Sequence, residues 1–202
     1  MAIFLHHGDL PEGVRFSGSI AVDTETMGLN LHRDRLCLVQ ISAGDGDAHL
    51  VKIAPGVDPV RLKAVLADPA ILKIFHFARF DVAMIARHLG VSCAPVFCTK
   101  IASKLCRTNT DRHGLKDICR DLLGVELSKE QQTSDWGAPD PTEEQQKYAA
   151  NDVLYLHQLK DKLSALLERE GRRALADACF GFLAARAALD LSGWADEDIF
   201  AH

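Results

Sequence analysis

The chain has six cysteines but no Cys-x-x-Cys pair, so it lacks the spacing on which zinc ribbons and knuckles are built. It has no apolar run of the ~18–20 residues that a membrane-spanning helix needs. The N-terminal Met1-Ala2-Ile3-Phe4-Leu5-His6-His7 places no basic segment ahead of a long apolar one, which argues against a secretory signal. No basic stripe is present and the net charge is −5. Proteins that grip long nucleic acids are usually basic overall or along one face. Any nucleic-acid ligand is therefore expected to be short, or held locally at its phosphates. Repeats, low-complexity tracts and linkers are absent as well.

What is present suits a globular protein: 202 residues, 48% apolar and 25% charged, enough for one domain with a sizeable core. Cys37 falls in a strand pattern, and Cys119 and Cys179 fall in helical patterns. The cysteines read as small buried apolar residues in a reducing cytoplasm. Strand patterns cover Ser19–Asp23, Leu36–Ser42, His49–Ile53, Leu72–Phe75 and Val96–Cys98, with Gly44-Asp45-Gly46-Asp47 as a hairpin signal between two of them. Helical patterns cover Pro59–Ala67, Phe80–Leu89, Lys100–Arg107, Leu115–Leu123, Thr142–Arg169 and Arg172–Leu189. Thr142 and Gln145 fit a helix-starting box. The expected architecture is one α/β domain over residues 1–202, a mixed sheet flanked by helices with a helical C-terminal half.

Asp23 and Glu25 follow the apolar run Ile20-Ala21-Val22. On a strand, residues i and i+2 share a face, so the two carboxylates converge. Two ionised carboxylates side by side repel, and either one takes a proton or a cation neutralises them. Taken alone, the pair also fits a loop with two solvated acids. Asp81 follows the strand ending at His76 and stands near a helix start, where the helix dipole favours any acid. Tyr148 and Asp152 are four apart on a helix and so share a face. An acid beside the apolar Leu156 and Leu159 needs a partner, because burying an unpaired charge is costly.

Together, Asp23, Glu25, Asp81 and Asp152, with Tyr148 four residues before the last, resemble the DEDD superfamily of 3′–5′ exonucleases in its tyrosine-containing subgroup, which includes ribonuclease D. Asp23-Thr24-Glu25-Thr26-x-Gly28-Leu29 with Arg35–Ile41 resembles the first motif and its strand. Gly114–Ile118 and Gln132-x-Ser134-Asp135-Trp136 resemble the middle region, and Tyr148–Leu156 the third motif. Phe75–Asp81, Thr99–Leu105, Asp111–Lys116 and Leu189–Ala195 are similar to the nanoRNase C group, which degrades very short RNA.

The resemblance implies a ribonuclease H-like fold without extra helical RNA-binding domains, and hydrolysis of dinucleotides by two divalent ions, Mg²⁺ or Mn²⁺. It implies that Asp23 bridges both ions, Glu25 and Asp152 complete one site, Asp81 holds the other, and Tyr148 orients or deprotonates the attacking water. Thr24, Thr26, Gly28, Leu29, His76, Phe77, Arg79, Ser134 and Trp136 are the expected substrate contacts. Lys100, Lys104, Arg107, Arg112 and His113 are candidates for the 5′ phosphate. A ring-like homo-octamer is also implied, with no membrane partner. Broader trimming of RNA ends, action on single-stranded DNA, or an inactive RNA-binding fold are the competing expectations.

Overall fold

The computed structural model describes residues 2–128, 130–131 and 133–202. Strand β2 (Ser19–Thr26) occupies an interior position, and Ile20, Ala21 and Val22 are fully buried. A continuous apolar run is what a strand covered on both faces requires. The six strands lie in the order β1-β4-β3-β2-β5-β6. On one side β2 pairs antiparallel with β3 (Leu36–Ser42), and on the other parallel with β5 (Leu72–Phe75). The Gly44–Asp47 turn joins β3 to its antiparallel neighbour β4 (Ala48–Lys52). Parallel pairings add the outer strands β1 (Ile3–His7), against β4, and β6 (Val96–Cys98), against β5.

The helices are α1 (Val60–Ala67), α2 (Ala78–Leu89), α3 (Thr99–Cys106), α4 (Leu115–Leu123), α5 (Glu143–Leu154), α6 (Leu156–Arg169) and α7 (Arg173–Leu191). Helix α5 packs on β1 to β4, and α2 packs on α7 and on the sheet. The Thr142 hydroxyl accepts the Gln145 amide while the Gln145 side chain accepts the Thr142 amide, so the expected capping box starts α5. Among the described residues, no helix is long and apolar enough to cross a membrane. All six cysteines are free, and only Cys179 is not buried.

Three features differ from the sequence expectation. Strand β1 was not anticipated, because it pairs only with β4, more than forty residues away, through Ile3 opposite Ala48. Strand β2 continues past Asp23 to Thr26, with a register shift between Glu25 and Thr26. The single helix expected over Thr142–Arg169 is two helices, interrupted at Tyr155 (φ −102°, ψ −5°). Neither Gly nor Pro marks that break. The buried positions Ala149, Val153, Leu156, Leu159, Leu163 and Leu167 run through it with nearly unbroken helical spacing, so periodicity alone conceals it. Gln132, quoted above in the middle motif, lies outside the described residues.

Candidate active site

Alternation along β2 turns Asp23 and Glu25 to one face, where α5 brings Asp152. One carboxylate oxygen from each of the three lies within 4.8 Å of the others. Alternation sends Thr24 the other way, and its hydroxyl donates to Asp81 Oδ1 of α2 at 2.6 Å. Asp81 is 4% exposed. The charges acting on Asp23 come from Asp81, Asp152 and Glu25, all negative.

Burial, reinforced by these neighbours, holds the Asp23 carboxyl well above its usual range. It pushes Glu25 up to about 9 and Asp152 to about 7. Burial also lifts Asp81 to about 7, against the opposing hydrogen bonds from Thr24. Three clustered acids, with a fourth acting on them, form an unstable arrangement unless protons or metal ions join them. An all-oxygen donor set suits hard divalent ions such as Mg²⁺ or Mn²⁺.

Gln40, directly opposite Asp23 on β3, is fully buried. Its Nε2 donates to Asp23 Oδ2 at 3.3 Å and to Glu25 Oε1 at 3.4 Å. Its Oε1 has no protein partner among the described residues. Gln40 is absent from the sequence-based candidates; the one local signal for it is a polar amide inside the apolar strand pattern Leu36–Ser42.

Tyr148 stands one turn before Asp152 on α5, on the same helix face, and the Asp152 charge acts on its hydroxyl. Burial first, and the surrounding carboxylates second, push the Tyr148 pKa above its ordinary value. In the metal-free protein the group is therefore a protonated hydroxyl at neutral pH, able to donate a hydrogen bond.

The remaining predicted contacts divide into two sets. Leu29 is 84% exposed. Its loop is braced by the Asp34 carboxylate, which accepts the Asn30 amide at 2.9 Å. Gly28 allows this, because a Cβ there would lie 2.4 Å from Asp34 Oδ2. Phe77 precedes α2 in a left-handed conformation (φ 62°) with its ring partly exposed, and Lys100 Nζ lies 4.1 Å from the ring centroid. Such a conformation costs an aromatic residue about 1–3 kcal/mol, and strain of this kind clusters at functional sites. Lys104 and Arg112 are exposed.

The second set is already engaged by other groups of the protein, Arg79 while also lining one cleft with Leu29 and Phe77. Thr24 is buried against Asp81, and Thr26 donates to the Gly28 carbonyl. Trp136 is 4% exposed, with its ring 6.2 Å from that of Tyr148. Ser134 donates to the Gln131 carbonyl and accepts from Gln145. The Arg79 guanidinium grips Asp190 with two bonds, at 2.6 and 2.8 Å, and the Ala195 carbonyl with a third at 2.7 Å. Arg107 pairs with Asp121 at 2.6 Å, and His113 shares Ser103 with it. His76 Nδ1 donates to Thr99 Oγ1, which donates in turn to the Phe75 carbonyl. Burial, with the Lys100 charge, holds the His76 pKa down at about 3, so its ring is neutral and offers only Nε2 as an acceptor.

The raised carboxyl values carry a stability prediction. An acid with a higher pKa in the fold than in the unfolded chain stabilises the fold below its ordinary pKa, near ~4, and that contribution is lost as pH rises through the folded value. The metal-free protein is therefore expected to lose stability from about pH 4 upward, through the values near 7 for Asp81 and Asp152 and near 9 for Glu25. A divalent ion replaces the protons. Adding Mn²⁺ should raise Tm more at about pH 8.5 than at about pH 6, as thermal melts at the two pH values will show.

A family model described as 3′–5′ exonuclease matches residues 9–168. Ribonuclease D of Gluconacetobacter diazotrophicus is 34% identical over 161 residues, 80% of this chain and 41% of that protein. The chain thus spans about two fifths of the length of the curated relatives it matches. Brucella melitensis NrnC bound to pGG superposes with a TM-score of 0.95 at 55% identity, covering 100% of this chain and 99% of the other. NrnC with bound Mg²⁺ gives 0.94 at 54%, covering all of both chains. The acids of β2, α2 and α5, the mixed sheet that presents them and these matches agree: the chain belongs to the 3′–5′ exonuclease family, in its DEDD, ribonuclease D-like branch beside NrnC, and has the ribonuclease H-like fold of that branch.

Proposed function

We propose that this protein is a 3′–5′ exoribonuclease that hydrolyses very short RNA, chiefly dinucleotides, to nucleoside 5′-monophosphates. The observation that carries the length preference is a pair of exposed apolar side chains, one just after β2 and one just before α2, the elements that carry Asp23, Glu25 and Asp81. Leu29 and Phe77 line a cleft of about 390 Å³, near the lower end of ligand-sized pockets, ~300–1,000 Å³. Leu29 serves as a wedge between two bases, and the Phe77 ring offers a face on which a base can stack. The pGG held by the 55% identical NrnC supports the same substrate size.

In this reading Asp23, Glu25 and Asp152 hold one divalent ion, and Asp23 shares a second with Asp81. Two such ions, when bound, stabilise the attacking and leaving oxygens of an in-line displacement. Gln40 keeps Asp23 and Glu25 in their places through its amide hydrogens. Tyr148 orients the attacking water. Lys100, Lys104 and Arg112 are the available cations for the 5′ phosphate, since Arg107 is already paired with Asp121. Phe182, Trp194, Ile199 and Phe200 are exposed, and these residues support self-association, which we read as the homo-octameric ring; light scattering on the purified chain tests it.

The deciding assay compares 5′-labelled RNAs of two, four and seven residues, with single-stranded DNA alongside. The dinucleotide is expected to turn over fastest. Equal rates at all lengths would leave a broader, ribonuclease D-like trimming activity as the function, a reading that the 34% identity to ribonuclease D keeps in play.

A further inference from the structure

Lys52, the last residue of β4, is 7% exposed and forms no ion pair among the described residues. Burial above all, and also the charge of nearby Arg35, pull its pKa down, so the ammonium is held at a cost. Among the described residues its one hydrogen bond runs from Nζ to the Trp136 carbonyl at 2.6 Å. Arg35 Nη2 donates to the next carbonyl, that of Gly137, at 3.1 Å, while its Nη1 reaches the Ile53 carbonyl at 3.3 Å. Two cations, one ending β4 and one just before β3, thus grip two consecutive carbonyls of one loop.

That loop is also tied to the helix that carries the catalytic groups. Gln145, in the first turn of α5, donates from Nε2 to Ser134 Oγ at 3.1 Å and to the Asp135 carbonyl at 3.2 Å. The buried Trp136 ring lies 6.2 Å from the Tyr148 ring, tilted by 41°. Cys37, Leu38, Leu50 and Ala149 pack around it in a small apolar cluster, with Tyr148 against the edge. Tyr148 therefore has Trp136 on one side and the Asp152 carboxylate at its hydroxyl. An apolar residue at position 52 would fill the same space without the burial cost of a charge, but it would leave the Trp136 carbonyl free to move.

We propose that Lys52 is a positioning residue for Tyr148: holding the Trp136 carbonyl, with Arg35 on the Gly137 carbonyl, it seats the Trp136 ring against Tyr148 and so fixes the hydroxyl beside Asp152. The proposal rests on the assignment of Tyr148 as the group that orients water. Lys52 touches neither substrate nor the acids. Its effect passes through one indole ring to one hydroxyl, where a displacement of about 1 Å can cost on the order of 10²-fold in rate.

The test is a double-mutant cycle between Lys52→Met and Tyr148→Phe, with dinucleotide turnover and Mn²⁺ binding to the substrate-free protein as readouts. Lys52→Met is expected to lower kcat about tenfold or more, with KM and the Mn²⁺ midpoint nearly unchanged. In the Tyr148→Phe background the same substitution should change kcat by less than about twofold, because the hydroxyl it serves is gone. In a Trp194→Phe background, which leaves Trp136 as the one tryptophan, Lys52→Met should shift the emission maximum. An equal kcat loss in both backgrounds overturns the proposal, as does a loss confined to KM or to Mn²⁺ binding. Lys52→Arg, which keeps a donor and a charge, should recover most of kcat. If Lys52→Met does not fold, Arg35→Met carries the same cycle; failure of both to fold assigns the pair a structural role instead. If Tyr148→Phe itself retains full activity, the assignment of Tyr148 fails separately from the role of Lys52.

Discussion

Asp23→Asn is expected to abolish metal-dependent turnover while raising the melting temperature of the metal-free protein. Asp23 is the carboxylate on which the others converge: Asp81, Asp152 and Glu25 all act on it, each with the same sign. Loss of its charge removes the bridge proposed between two ions. Metal ions supply several kcal/mol of transition-state stabilisation, so the loss in kcat should be about 10³-fold or more. The same substitution relieves like-charge repulsion in a site that burial already makes unfavourable for ions. Each kcal/mol regained corresponds to about 2–4 °C in a protein of this size. Steady-state kinetics and scanning calorimetry at about pH 8, above the usual carboxylate range, give the two readings. Loss of activity with a lower metal-free Tm would point to damage of the fold. Retained turnover would show that the metal site has been misplaced.

Tyr148→Phe is expected to lower kcat by about 10²-fold, within the range for a positioned hydroxyl acting on a reacting water. The ring stays, so its packing on Trp136 is kept. The hydroxyl beside Asp152 is lost, yet Asp23, Glu25 and Asp81 keep their hydrogen-bond partners. The Mn²⁺ midpoint should therefore move far less than kcat, and calorimetric titration of the substrate-free variant measures it. A metal midpoint that moved in step with kcat would make Tyr148 a support for Asp152 and not a partner of the water.

How far the sequence reaches can be judged from particular residues. The i, i+2 spacing of Asp23 and Glu25 on an apolar strand already implies one shared face, and the i, i+4 spacing of Tyr148 and Asp152 implies another. Both follow from local geometry, and both pairs stand as that geometry requires. The Thr142 capping box and the hairpin at Gly44–Asp47 are local in the same sense. Strand β1 was hidden because an edge strand is defined by its distant partner β4. The break at Tyr155 was hidden because the apolar spacing continues through it.

The candidate contacts separate for the same reason. Type and position made Arg79, Arg107, Ser134 and Trp136 look available to a ligand. Only the tertiary structure shows that Arg79 is taken by Asp190, Arg107 by Asp121 and Ser134 by Gln131 and Gln145, and that the Trp136 ring is buried among Cys37, Leu38, Leu50 and Ala149. It alone brings Gln40 to both acids of β2 and Lys52 to the Trp136 carbonyl, eighty-four residues away. The sequence by itself determined which side chains can bind metal and, through strand and helix periods, which of them share a face. Which polar groups are left free for a ligand was decided by tertiary packing, because a buried donor or charge takes the partner that folding brings to it, however distant in the chain.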